Sequence, residues 1–120
     1  MLNLDTHIVA LLLSRRLTVE EYRRVADEEL AVSDIVLWEF AKLAKRGRLA
    51  FDLDDPAFRI FIKTATVFPI TMEIARQSTS LDFESDPADE IIAATSIVEN
   101  IPLLTRDHRI LGSKIVPLAL

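Results

Sequence analysis

No cysteine occurs among the 120 residues, which removes a disulfide framework, a cysteine-based zinc site and a thiol nucleophile from consideration. Stability must then come from packing, and the composition suits a reducing cytosol. Glycine is almost missing too: Gly47 and Gly112 are its two instances, both placed where an element should end, and no Gly/Ser linker, internal repeat or low-complexity tract divides the chain. Long hydrophobic runs are lacking. Ile8-Val9-Ala10-Leu11-Leu12-Leu13 falls far short of the roughly 20 apolar residues that span a bilayer, so no membrane association is expected. Nor does that run read as a signal peptide, because no basic segment precedes it, Asp5 and His7 do, and Ser14-Arg15-Arg16 is not a small-residue cleavage site. A cytoplasmic protein is expected. Positive charge is in deficit, with 14 Lys and Arg against 19 Asp and Glu, a formal charge of −5 and a pI near 5.0. That balance excludes binding of nucleic acid through a broad basic surface. It does not exclude an enzyme that gathers carboxylates around a divalent cation, because the cation reverses the local field.

What is present is enough apolar material for one core. Half of the residues are hydrophobic, and the length suits a single domain over residues 1–120. Met1 to Leu4 is a short apolar strand, and Asp5-Thr6 supplies the cap for a helix through Leu13. Thr18 and Glu21 have capping-box spacing and open a second helix through about Glu29. Leu30 to Val32 is a second strand. Ser33 is read as the cap of a helix that presents Val36, Phe40, Leu43 and Ala44 on one face and ends in Gly47. Asp55-Pro56 starts another helix. Thr66 to Ile70 is a third strand, weakened by Pro69, and Thr71 caps the helix after it. Asp86-Pro87 opens a helix over Ala88 to Asn100, with Ile91, Ile92, Thr95 and Val98 spaced to face a core. Pro102 to Thr105 is a fourth strand and Lys114 to Leu118 a possible fifth. Short apolar strands alternating with helices predict an α/β fold, a parallel sheet flanked by helices on both faces. Ligands in such folds collect at the carboxyl ends of the strands.

Four acids stand at those ends. Asp5 follows the first strand, Glu39 lies in the second turn of the helix after the second, Asp89 is in the first turn of its helix, and Asp107 follows Pro102-Leu103-Leu104-Thr105. Singly, each has an ordinary explanation: Asp5 as a cap, Asp89 as an acid favoured by the helix dipole, Asp107 as a turn residue, Glu39 as a solvated group. Together they would repel one another unless a hard divalent cation held them. All-oxygen ligation favours Mg²⁺ or Mn²⁺ over zinc, and phosphodiester hydrolysis is the chemistry such ions serve. Asp86 is a fifth candidate that already has a role as a helix cap before Pro87.

Four short motifs carry a resemblance. They are Leu4-Asp5-Thr6-His7, then Trp38-Glu39 ahead of Lys45-Arg46-Gly47-Arg48-Leu49, then Asp86-Pro87-Ala88-Asp89, then Leu103-Leu104-Thr105-Arg106-Asp107. In this order, over essentially the whole chain, they resemble the PIN-domain ribonucleases of the VapC toxin type. The resemblance implies an α/β sandwich around a parallel sheet, Mg²⁺- or Mn²⁺-dependent RNA cleavage, inhibition by a cognate VapB-like antitoxin and a homodimer. It makes Asp5 and Asp89 the principal metal ligands, with Glu39 and Asp107 completing the pocket and positioning water. Glu90 departs from the pattern, since similar sequences often carry Arg there, and this leaves contacts to the substrate in question. Arg106, His108 and Arg109, or Lys42, Lys45, Arg46 and Arg48, are candidates for phosphate contacts and equally for solvated cations near helix ends. His7 beside Asp5 reads as a hydrogen-bonded residue at a helix start. The first helix and the helix bearing Tyr22 suit either an interface or ordinary core packing.

Two other functions fit less well. A phosphoacceptor receiver module would need an acidic pair after the first strand and an Asp after the third, where this chain has Asp5-Thr6 and Ile70-Thr71-Met72-Glu73. A PIN-like scaffold that binds RNA or a partner without cutting would have no physical reason to keep a repulsive cluster of acids.

Overall fold

A computed structural model describes residues 1–48 and 52–120. Leu49, the last residue of the basic motif, lies outside the described residues. The elements in order are β1 (Leu2–Leu4), α1 (Thr6–Leu13), α2 (Val19–Ala26), β2 (Leu30–Ser33), α3 (Ile35–Lys45), α4 (Pro56–Thr64), β3 (Thr66–Phe68), α5 (Met72–Gln77), α6 (Pro87–Glu99), β4 (Leu103–Leu104) and α7 (His108–Leu111).

The four strands form one parallel sheet in the order β3-β2-β1-β4. Leu2 pairs with Leu30, Asn3 with Leu103 and Val32 with Val67. Every residue of β1 is fully buried, as are Ala31 and Val32, although successive side chains point to opposite faces. Both faces of the sheet are therefore covered by helices, as the unbroken apolar strands imply. The chain moves from β1 outward through β2 to β3 and then returns to β4 on the other side of β1. Its direction reverses between β1 and β4, which is where such sheets leave a crevice at their carboxyl edge.

Local chemistry accounts for most boundaries. Thr18 and Glu21 make the reciprocal capping box at the start of α2, and Asp55 and Thr71 accept from the first N–H groups of α4 and α5. Gly47 takes φ +70 after α3, where its N–H reaches the Ala44 carbonyl and the Arg48 N–H reaches Leu43, a Schellman ending that a β-carbon would strain.

Several sequence expectations need correction. Ser33 belongs to β2 and Asp34 takes the cap position of α3, although the Ser33 hydroxyl still accepts from the Ile35 N–H at 3.3 Å. α2 stops at Ala26, three residues before Glu29. β3 stops at Phe68, because Pro69 has no N–H to continue a ladder and Asp34 donates to the Phe68 carbonyl. Lys114 to Leu118 is not a strand. Asp82 accepts from the Lys114 N–H at 2.7 Å and the Ser113 hydroxyl at 2.6 Å, folding the segment into bends, and a single parallel bridge joins Leu118 to Leu103. The short α7 was not expected.

The core gathers Leu2, Leu4, Ile8, Val36, Phe40, Ile92 and Leu104, with Phe40 and Phe58 stacked at 4.1 Å between ring centroids. α6 is buried from Ile92 through Ser96 without a break, a wider arc than the expected Ile91, Ile92, Thr95 and Val98. It packs against β2, α3 and α5 at once, which small Ala93, Ala94 and Ser96 permit. No helix among the described residues is long and apolar enough to cross a membrane.

Candidate metal centre

Asp5 is the residue after β1, 3% exposed, and its side chain closes the start of α1 by accepting from the Thr6 N–H at 2.7 Å. Its other oxygen accepts from the Thr105 hydroxyl at 2.6 Å, which ties it to the end of β4. Glu39 reaches in from α3 and accepts from the Thr6 hydroxyl at 2.5 Å. Asp89 projects from the first turn of α6 and accepts from the Ser85 hydroxyl at 3.1 Å. Three carboxylates from three elements thus converge, one oxygen of each lying within 4.8 Å of the others. Each is gripped by a hydroxyl, and among the described residues none is paired with a lysine or arginine.

The electrostatics follow from that. Burial pushes the Asp5 carboxyl above the ordinary range, aided by Asp107 and opposed by its hydrogen bonds and His7. Burial likewise raises Glu39, with Asp5 and Asp86 adding repulsion. Asp89 is pushed up to about 6, first by burial and then by the charges of Asp5 and Glu39. Clustered carboxylates that favour protonation are the expected state of a cation site before it is filled. The donor set is all oxygen, anionic and held in place, which fits a hard divalent cation and not a soft one.

Asp107, the fourth expected member, stands beside this group but outside it. One of its oxygens accepts from the Arg109 and Ile110 N–H groups at 2.8 and 3.2 Å, so it is the N-cap of α7, and its charge still raises Asp5 and Asp89. Asp86 occupies the cap position of α6, yet its side chain makes no capping bond, contrary to the role assigned from Pro87. It is exposed, near enough to Glu39 to raise it.

Residues 3–112 match the sequence model of the PIN domain. The chain belongs to the PIN-domain family. Solved structures of the same fold include a toxin–antitoxin complex from Klebsiella pneumoniae, at 22% identity and TM-score 0.74, covering 100% of this chain and 98% of that one. VapBC2 from Rickettsia felis, bound to a DNA fragment from its promoter, aligns over 98% of this chain and 97% of its own at 17% identity and TM-score 0.76. VapBC from Salmonella typhimurium bound to DNA gives 15% identity, TM-score 0.69 and coverage of 98% and 95%. No curated protein sequence gives a match. Membership of this family sets aside the receiver-module alternative.

Within this PIN domain, the cations proposed for phosphate contact divide. Arg106 is committed elsewhere, making a two-point pair with Glu21 of α2 at 2.8 and 2.6 Å. His108 and Arg109 are exposed on α7, and Lys42, Lys45, Arg46 and Arg48 are exposed at the far end of α3. Glu90, the departure from the family pattern, accepts from the Ser85 N–H at 3.3 Å. It thereby steadies the loop whose hydroxyl grips Asp89. The residues that sequence reasoning missed are the hydroxyls of Thr6, Ser85 and Thr105. Thr6 and Thr105 lie inside two of the motifs, and that adjacency was the available signal, but their pairing with Glu39 and Asp5 spans 33 and 100 residues.

Proposed function

We propose that this PIN domain is a Mg²⁺- or Mn²⁺-dependent endoribonuclease, the toxin of a VapBC-type toxin–antitoxin pair acting in the cytoplasm. The observation that carries the proposal is the convergence of Asp5, Glu39 and Asp89, three carboxylates raised chiefly by burial, with neighbouring acids adding to it, and with no lysine or arginine paired to them among the described residues. These three would hold the cation, and Asp107 on the rim would help to position water. When bound, the cation supplies a water of lowered pKa and stabilises charge on the phosphoryl oxygens. The protein's part is to keep the ligands aimed: Thr105 and the Thr6 N–H fix Asp5, the Thr6 hydroxyl fixes Glu39, and Ser85 fixes Asp89. The complexes similar in fold are toxins with their antitoxins, which supports a VapB-like antitoxin as partner, and a homodimer is proposed with it.

The test is cleavage of a mixed RNA pool by the purified protein, with Mg²⁺ or Mn²⁺, with a chelator, and with Asp89→Asn. The expected result is cutting that needs the metal and falls in the variant by more than the roughly 10–100-fold typical of an outer hydrogen-bond partner. A folded protein that binds Mn²⁺ nowhere and cuts nothing would establish the non-catalytic scaffold instead.

A further inference from the structure

Trp38 is the only tryptophan and lies one residue before Glu39, yet the residue is 54% exposed while Val36 and Phe40 on the same helix are fully buried. It does not serve the core. Lys42, one turn further along α3, places its ammonium 5.5 Å from the centre of the indole ring. Arg46 follows after another turn, so Trp38, Lys42 and Arg46 form a stripe at spacing i, i+4, i+8. This stripe forms one wall of a cavity of about 340 Å³, closed on the other side by Asp86, Pro87 and Ala88 at the start of α6. Glu39 also lines it, so the cavity shares one residue with the carboxylate cluster.

The cavity is polar in a directional sense. Glu39 and Asp86 supply its acidic lining, and Lys42 and Arg46 supply cations further toward the end of α3, with about 10 Å from Glu39 to Arg46 along the helix axis. A free anion is repelled from the first part, and an apolar ligand gains nothing from the second. A nucleotide in a single strand satisfies both. Its base has a face for the indole, its phosphate suits Lys42 and Arg46, and its next phosphodiester extends toward the acids. Base stacking on aromatic rings is open to single strands, whose bases are free of pairing.

We propose that this cavity is an RNA subsite in which Trp38 stacks one base of a single strand while Lys42 and Arg46 hold its phosphate. The subsite rests on the ribonuclease reading for its biological meaning, and it is tested separately from cleavage. Because Trp38 is the only tryptophan, its fluorescence reports the site directly. Asp89→Asn protein in Mg²⁺ is titrated with a short oligouridylate and, as a phosphate without a base, with inorganic triphosphate. The oligouridylate quenches the emission to saturation and triphosphate does not. Lys42→Ala weakens binding and lowers the slope of log affinity against log salt by about 0.7, the value for one phosphate contact on a single strand, and Lys42→Arg restores both. In cleaving protein Trp38→Ala raises KM roughly ten-fold, the effect falling on KM rather than kcat, and Trp38→Tyr recovers most of it.

Saturable quenching that depends on Lys42, in a protein that cuts no RNA with any metal, would uphold the subsite and sink the ribonuclease reading. Cleavage without quenching, and with an unaltered KM in Trp38→Ala, would overturn the subsite and leave the ribonuclease standing. Quenching by a partner protein but not by RNA would overturn it as well, making the cavity a protein contact.

Discussion

Two groups of acid are tied to the turn between β4 and α7, Glu21 through Arg106 and Asp5 through Thr105, and are treated in opposite ways. Glu21, 5% exposed, accepts the Thr18 N–H and both arms of the Arg106 guanidinium, and its carboxyl is held down at about 2 chiefly by that arginine. Asp5, Glu39 and Asp89 receive hydroxyls and one backbone N–H, with no lysine or arginine pair among the described residues, and all three are raised. A carboxylate answered within the chain fastens α2 to the turn after β4. Carboxylates left unanswered store repulsion that an added cation can release. The charged ends differ in exposure as well: Arg106 is 45% exposed while Glu21 is buried, so the pair is anchored from its acidic side.

The contrast can be broken most sharply at Glu21. Glu21→Ala removes a capping-box acid and leaves Arg106 without its partner, so stability falls by about 3 kcal/mol and the melting temperature by roughly 10 °C. A melt unchanged within a degree or two would show that the pair contributes nothing net. Next in size is the response to metal. Saturating Mn²⁺, at about one hundred times its Kd, raises stability by about 2.7 kcal/mol in thermal or urea denaturation, and Asp89→Asn loses most of that gain. The Glu21→Ala protein keeps it, because its lesion is elsewhere.

The pH dependence separates the groups by sign. The Asp89 proton leaves near 3.8 in the unfolded chain and near 6 in the native one, so the native state holds more protons in between. Its contribution to stability is therefore lost as the pH rises from about 4 through 6, by about 1–2 kcal/mol once solvent screening of this half-buried group is allowed for, and Asp5 and Glu39 act in the same direction. Glu21 runs the other way, since its contribution is present above pH 4.5 and is lost as the pH falls toward 2. Metal-free protein should thus melt highest in mildly acidic buffer, and Asp89→Asn should flatten the alkaline side while leaving metal-free stability at neutral pH equal or higher. A large fall in that variant would mark Asp89 as structural. The smallest effect belongs to Thr6→Val, which frees Glu39 from its hydroxyl. About 1 kcal/mol of stability and roughly ten-fold in cleavage are expected to go, read from melts and initial rates.

Helix starts were legible because a cap is a bond between residues two or three apart. Thr18 with Glu21, Asp55 with Ala57 and Thr71 with Ile74 announce themselves in any context. The same rule misled at Ser33 and Asp86. Pairing with β3 carried the second strand through Ser33, and Asp86 was left without a capping bond beside Glu39. The apolar run at Lys114 to Leu118 suggested a strand because nothing in the run shows that Asp82, over 30 residues away, would take the Lys114 N–H and hold Ser113, whose hydroxyl accepts from Ile115 and Val116.

By itself the sequence determined the parallel α/β architecture, since short unbroken apolar strands between capped helices can be buried only with helices on both sides. It also placed acids at the carboxyl ends of the strands. Only the tertiary structure decided which acids meet. It drew Asp5, Glu39 and Asp89 within 4.8 Å, turned one oxygen of Asp107 to capping α7, and gave Arg106 to Glu21. Distances of that kind are set by strand order and helix packing across the whole chain, and electrostatic energy at a few ångströms depends on them steeply.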